Sequence, residues 1–226
     1  MQYTASHASI WHRRCMVDEW DRLRTALEQA GVGGVDDLGR FVNNTKYFDP
    51  SVFDESAAAP VLLELLPELT DERLVCAVGR HLQSRAVGKE SYDDVLAAFK
   101  KWGPMKGQAG WVLGDTLARK ADKSRSADFF TLAGDPSYGS SRAFIVDALW
   151  RFTSVSDVEP LLLELIRDPD VSIYALSALQ RSIGAERMAS VLTLLLEELP
   201  DGTVAGNARR QMKRVEKKLR ASRDLS

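Results

Sequence analysis

Apolar residues recur at helical spacing along most of this chain, and short polar turns separate the apolar segments. Positions i, i+3, i+4 and i+7 form one face of an amphipathic helix, whereas a strand needs apolar and polar residues in alternation. Alternating β-branched runs of four residues are missing. The pattern therefore predicts an all-α protein. One set of predicted helices, here called first helices, covers residues 61–69, 92–102, 127–132, 158–166 and 188–199.

A repeat of about 33 residues relates the helices that follow them, here called second helices. The segment 168–184 opens with Asp168-Pro169 and closes with Gly184, which are start and stop signals for a helix. Equivalent segments recur at spacings of 35, 32, 30 and 33 residues. Because one short helix pair cannot bury its apolar face alone, such repeats stack on their neighbours. The sequence predicts an α-α superhelix, a solenoid of about five to six helix pairs.

The N-terminal part departs from this repeat. A predicted helix over 15–30 carries Trp20, Leu23 and Leu27 on one face, and a glycine-rich break and a short helix over 35–42 follow. We interpret residues 1–56 as a degenerate helix pair, or cap, with its connecting loop, because terminal repeats usually differ from the rest. Residues 57–226 are predicted to hold the regular repeats and a basic C-terminal capping helix. Both parts are predicted to form one continuous domain.

The second helices resemble the HEAT-like repeats typified by the phycobilin lyase HEAT family. The best match is Asp168-Pro-Asp-Val171 with Ala178-Leu-Gln-Arg-Ser-Ile-Gly184, and the next is Asp135-Pro136 with Ala148-Leu-Trp-Arg151. The resemblance covers roughly residues 57–220 and implies a HEAT solenoid of the armadillo-like class, used mostly as a protein-binding scaffold. Where such repeats commonly place an arginine after the Val, this chain has Ser172, and Arg142 is the nearest equivalent elsewhere.

Charge is segregated between the two helix sets. First helices with their turns contain 16 acidic and 5 basic residues, whereas second helices contain 17 basic and 5 acidic ones. In HEAT-like solenoids the second helices line the concave side, which predicts a basic inner surface and an acidic partner. Four arginines occupy one equivalent position and are expected either to form a partner-binding ladder or to complement helix C-termini and pair with local carboxylates. They are Arg119, Arg151, Arg181 and Arg214, and the expected i,i+4 pairs join the first two to Asp115 and Asp147.

Composition and motifs argue against other classes of protein. The net charge of -2 indicates no general attraction for nucleic acid or anionic membranes, so neither is an expected partner. Two isolated cysteines, with no signal peptide or membrane-length apolar run, predict a cytoplasmic protein. His12 and Cys15 are i,i+3, but no further ligand follows at zinc spacing, and no metal or cofactor is expected.

The sequence thus predicts a non-enzymatic adapter or scaffold that binds a protein or peptide on its second-helix face. Trp111 completes the predicted partner-binding set, which otherwise consists of the four arginines and two aspartates above. Two alternatives remain open. One is a DNA-binding enzyme similar in architecture to the HEAT-like alkylpurine DNA glycosylases, with Trp102, Trp111 and Trp150 as the residues that suggest it. The other is a lyase-like chaperone for a prosthetic group.

Overall fold

A computed structural model describes residues 18–43, 53–152 and 154–223, and within these ranges the chain is helical without strands. The all-α prediction is confirmed. Two compact units are present, Met1–Lys120 and Ala121–Ser226. The boundary predicted between residues 56 and 57 falls inside the first unit and remains a prediction. The helices of the first unit are α1 (residues 18–29), α2 (Leu38–Asn43), α3 (Glu55–Leu65), α4 (Glu72–Leu82), α5 (Tyr92–Trp102) and α6 (Gln108–Lys120).

The second unit contains α7 (Ser126–Gly134), α8 (Ala143–Ala148), α9 (Val155–Leu165), α10 (Ser172–Glu198) and α11 (Thr203–Arg223). Gly184 divides α10 into two helical segments, because its φ of 79° and ψ of 174° do not fit a helix. A side chain would be strained at this φ, and glycine is the residue that accepts it. The first segment of α10 is therefore a second helix and the second segment a first helix, as the repeat predicts.

Two first helices begin earlier than the pattern indicates. The α3 helix starts at Glu55 because the carboxylate of Asp54 accepts hydrogen bonds from the backbone N–H groups of Ser56 and Ala57, which caps the helix. Pro60 lies inside α3, and Pro160 likewise lies inside α9. A proline inside a helix removes one backbone hydrogen bond, and packing of the helix offsets that loss.

The core of the first unit forms where α1 and α2 meet the first repeat. Trp20, Leu23 and Leu27 are buried, as their spacing predicts. Trp20 packs against Phe41, with ring centroids 5.1 Å apart, and Phe41 stacks on the buried His81 of α4 at 4.6 Å. Burying each of these large side chains contributes roughly 1.5–3 kcal/mol, so this cluster anchors α2 to α4.

A buried arginine ties the turns of the second unit together. Arg142, only 1% exposed, donates from Nε to the carbonyl of Gly139 at 3.3 Å, and its other nitrogens donate to the carbonyl of Ala133 and the carboxylate of Asp168. Arg142 thereby links the end of α7 to the turn that precedes α10. Ser172 has a different role, since its hydroxyl accepts a hydrogen bond from the Asn207 amide at 2.6 Å.

Candidate second-helix surface

Second helices lie side by side within each unit. In the first unit, the Thr116 hydroxyl of α6 donates to the Gly79 carbonyl of α4 at 2.9 Å. In the second unit, α8 contacts α10 and α10 contacts α11, and the Gln211 amide donates to Gln180 across the α10–α11 boundary. These partners are 31 to 37 residues apart, which is about one repeat. Equivalent positions therefore become neighbours, as stacked helix pairs require.

Arg119 pairs within its own helix. Its guanidinium makes two hydrogen bonds to the Asp115 carboxylate, at 3.0 and 3.2 Å, so the predicted i,i+4 pair is present. The arginine side chain is 55% exposed and the aspartate 16%. An exposed pair of this kind stabilises a helix by only a few tenths of a kcal/mol. Trp111, on the same helix, is 39% exposed.

Arg181 joins two helices instead of one. Its guanidinium donates to the Asp147 carboxylate of α8 at 2.7 Å and lies 5.8 Å from the centroid of the Trp150 ring. The i,i+4 interpretation expected Asp147 to pair with Arg151, whose guanidinium lies 5.1 Å from the Phe152 ring. Asp147, Trp150 and Arg181 therefore form one contact group, here called the Trp150 cluster.

The Trp150 cluster is partly exposed, and an aromatic pair also joins α8 to α10. Trp150 is 39% exposed. Phe144 of α8 and Tyr174 of α10 meet edge to face, with centroids 5.8 Å apart, and both are partly exposed. The sequence prediction omitted these two residues. They are 30 residues apart, the same spacing that relates Arg151 to Arg181, so the repeat alignment itself contained the signal.

Arg214 differs from the other predicted arginines. It lies exposed on α11, and within the described residues no carboxylate forms an ion pair with it. The structure places Arg119 in the first unit and Arg151, Arg181 and Arg214 in the second. A ladder that connects all four arginines remains a prediction.

The three tryptophans that the sequence singled out differ in exposure. Trp102 is 7% exposed and belongs to the core of the first unit, whereas Trp111 and Trp150 are each 39% exposed. Because an exposed indole offers a large, rigid contact area, Trp111 and Trp150 are available for intermolecular contact.

Two titratable groups away from this surface, Glu55 and Cys76, have pKa values that are shifted by their surroundings in the fold. The pKa of Glu55 is lowered, chiefly by the neighbouring His81 side chain, whose Nδ1 lies 3.8 Å from the Glu55 carboxylate, and burial raises the pKa of the Cys76 thiol to about 11. Among the described residues, no three His, Cys, Asp or Glu side chains converge on a metal position. His12 and Cys15 lie outside the described residues. In the described part of the chain, every helix is too short or too polar to cross a membrane.

A cavity of about 450 Å³ lies in the second unit between the turn after α9 and the start of α11. Arg167 and Glu198 pair at 2.9 Å beside it, and Pro169, Leu199 and Pro200 supply its apolar wall. The residues of the Trp150 cluster do not line it.

No known protein family, curated protein or solved structure matches the chain. The side chains and their geometry therefore carry the functional argument.

Proposed function

We propose that this protein is a non-enzymatic adapter that binds a protein or peptide partner on the second helices of its repeats. The observation that carries the proposal is the Trp150 cluster, an exposed indole and guanidinium held together on neighbouring helices. Residues that dominate the energy of protein interfaces are most often Trp, Tyr and Arg. A HEAT-type solenoid and a cytoplasmic location are parts of the same proposal. The Arg142–Asp168 contact supports the solenoid, because HEAT-like repeats commonly pair a turn aspartate with a helix arginine.

The cluster is arranged before any partner arrives. Asp147 fixes the Arg181 side chain, whose position over Trp150 in turn orients the indole. A side chain that is already ordered loses less conformational entropy on binding, which otherwise costs about 0.5–1.5 kcal/mol per side chain. A preformed surface of this kind suits an adapter.

An acidic partner fits the charge around the cluster. Arg151 and Arg214 are exposed on the same unit, and the second helices have the excess of basic residues described above. Carboxylates of a partner would gain charge-assisted hydrogen bonds from these guanidinium groups. In the first unit, Trp111, Asp115 and Arg119 follow one another at intervals of four residues along α6, so they lie on one side of that helix.

The test begins with affinity purification of the full chain from extracts of its own cells, with and without nuclease, followed by mass spectrometry. A protein retained under both conditions is then purified, and its affinity is measured for the wild type and for Trp150→Ala and Arg181→Glu. We expect each substitution to weaken binding at least tenfold. Retention of a prosthetic group or of nucleic acid alone would favour the chaperone or the DNA-binding enzyme instead.

Arg187→Glu is the matched control. Arg187 pairs with Glu159 at 2.8 Å and Arg181 with Asp147 at 2.7 Å, and both pairs join neighbouring helices. The control pair, Arg187–Glu159, joins two first helices and therefore lies outside the second-helix surface. Equal loss of affinity in Arg181→Glu and Arg187→Glu would refute the second-helix surface as the binding site.

A further inference from the structure

The outward face of α11 is a continuous basic surface. Residues 203–222 include seven basic side chains and one acidic side chain, and all seven cations are exposed. The opposite face is buried through Ala205, Ala208 and Val215. The cations form two i,i+4 rows, so each row has one positive charge per turn. The rows are Arg209–Lys213–Lys217 and Arg210–Arg214–Lys218, with Arg220 beyond them.

Few of these charges are neutralised by the protein. Arg209 pairs with Asp201 at 2.5 Å, and Arg210 donates to the neutral amide oxygen of Asn207. Among the described residues, no carboxylate forms an ion pair with the other five cations, which are Lys213, Arg214, Lys217, Lys218 and Arg220. The net charge of -2 does not describe the potential at this surface. Salt screens the interaction between exposed charges beyond about 10 Å at 0.1 M ionic strength, so distant acidic residues contribute little there. A ligand on α11 experiences mainly the local positive potential.

The residue composition of the basic face of α11 favours one class of anionic partner over the others. Within the described chain, the exposed large apolar residues all lie outside α11, so the face lacks the anchors that protein interfaces need. Its apolar side is already packed, which prevents the insertion that holds amphipathic helices in a membrane. It has no aromatic residue for stacking unpaired bases. A phosphate backbone needs none of these features, only cations in a row.

Duplex DNA fits the dimensions. The helix has 21 residues and is therefore about 31 Å long. With its side chains it is roughly 10–12 Å across, close to the ~12 Å width of the B-DNA major groove, whose two borders are rows of phosphates. The major groove of duplex RNA is deep and narrow. We infer that α11 is a sequence-independent docking surface for the phosphate backbone of double-stranded DNA. This face shares Arg214 with the protein-binding surface proposed above, whereas Lys213, Lys217 and Lys218 lie outside that predicted set.

The experiment is a fluorescence anisotropy titration of the full chain against a labelled mixed-sequence DNA duplex, over a range of salt concentrations. About five phosphate contacts predict a slope of log K against log salt of about -4 to -5. The triple variant Lys213→Gln, Lys217→Gln and Lys218→Gln should bind at least tenfold more weakly at low salt. Its slope should be shallower by about 2.7, because each lost phosphate contact removes ~0.9.

A second triple variant separates local from total charge. Arg85→Gln, Lys89→Gln and Lys100→Gln remove three exposed cations from the first unit and should leave both affinity and slope unchanged. Circular dichroism of both variants serves to check that they are folded. Equal weakening in the two variants, or no binding of DNA by the wild type at low salt, overturns the inference. Tighter binding of duplex RNA, single-stranded DNA, a polyglutamate peptide or anionic vesicles overturns the assignment to duplex DNA.

Discussion

Replacing Arg142 by methionine should destabilise the second unit strongly. The substitution keeps an apolar side chain of similar length but removes the guanidinium that bonds to two carbonyls and to Asp168. Hydrogen bonds to charged groups contribute about 1.5–3 kcal/mol each, and breaking a buried ion pair typically costs 3–5 kcal/mol. Asp168 is 27% exposed and regains some hydration, so we expect a loss of about 3 kcal/mol.

Urea denaturation followed by circular dichroism measures this loss. With an m-value of about 2 kcal/mol per molar, the midpoint should fall by roughly 1.5 M. Arg167→Met is the matched control, because Arg167 also pairs with a carboxylate, but both partners are more than half exposed. Its loss should stay below about 1 kcal/mol. Equal midpoints for the two variants would refute the structural role of Arg142.

A double-mutant cycle tests the pair itself. Asp168→Asn removes the charge that Arg142 neutralises, so the double variant should be more stable than the sum of the two single losses predicts. We expect a coupling energy of at least about 1 kcal/mol. Strictly additive losses would show that the two side chains act independently.

Three further predictions concern titratable groups. Because the neighbouring His81 side chain lowers the pKa of Glu55, this carboxylate stabilises the fold above pH ~4.5, and that contribution is lost as the pH falls through the lowered pKa. Glu55→Gln should flatten the loss of stability in acid denaturation, and parallel acid profiles would contradict this. Lys120 donates to two loop carbonyls, both at 2.6 Å, so Lys120→Met should lower the free energy of unfolding by about 1–3 kcal/mol in urea titrations, and a negligible change would refute that role. Cys76, with a thiol pKa of about 11, should react with Ellman's reagent at pH 8 only as the protein unfolds, measured in a Cys15→Ser background, and rapid labelling of the folded chain would disprove its protection.

Local signals predicted most helix positions. The α5 helix matches the predicted range 92–102 in full, because its apolar spacing lies within the segment and the Gly103-Pro104 stop follows it directly. The helix break at Gly184 was also predictable, since a single residue sets the local backbone. The predicted first helix begins at residue 61, with the apolar run, whereas the Asp54 cap starts α3 at Glu55.

The surface contacts depended on information that the repeat alone does not contain. Aligning the repeats places Arg151 and Arg181 at equivalent positions, but the rotation of each helix about its axis decides which carboxylate each arginine reaches. Arg181 pairs with Asp147 of the neighbouring helix, whereas Arg119 pairs with Asp115 of its own helix. Which carboxylate an arginine pairs with depends on tertiary packing and could not be predicted from the sequence spacing of the residues.

The polar contacts between adjacent second helices differ from one boundary to the next. A hydroxyl meets a backbone carbonyl between α4 and α6, a carboxylate meets a guanidinium between α8 and α10, and amides meet a hydroxyl and each other between α10 and α11. Repeats with identical boundaries can exchange places or slip by one unit, as in domain-swapped arrays. Within the second unit, exchanging helix positions would set an unmatched charge or an unbonded amide against a new neighbour. Each of these boundaries therefore has its own matching contact, and inside that unit the order of the second helices is encoded in side-chain chemistry as well as in chain connectivity.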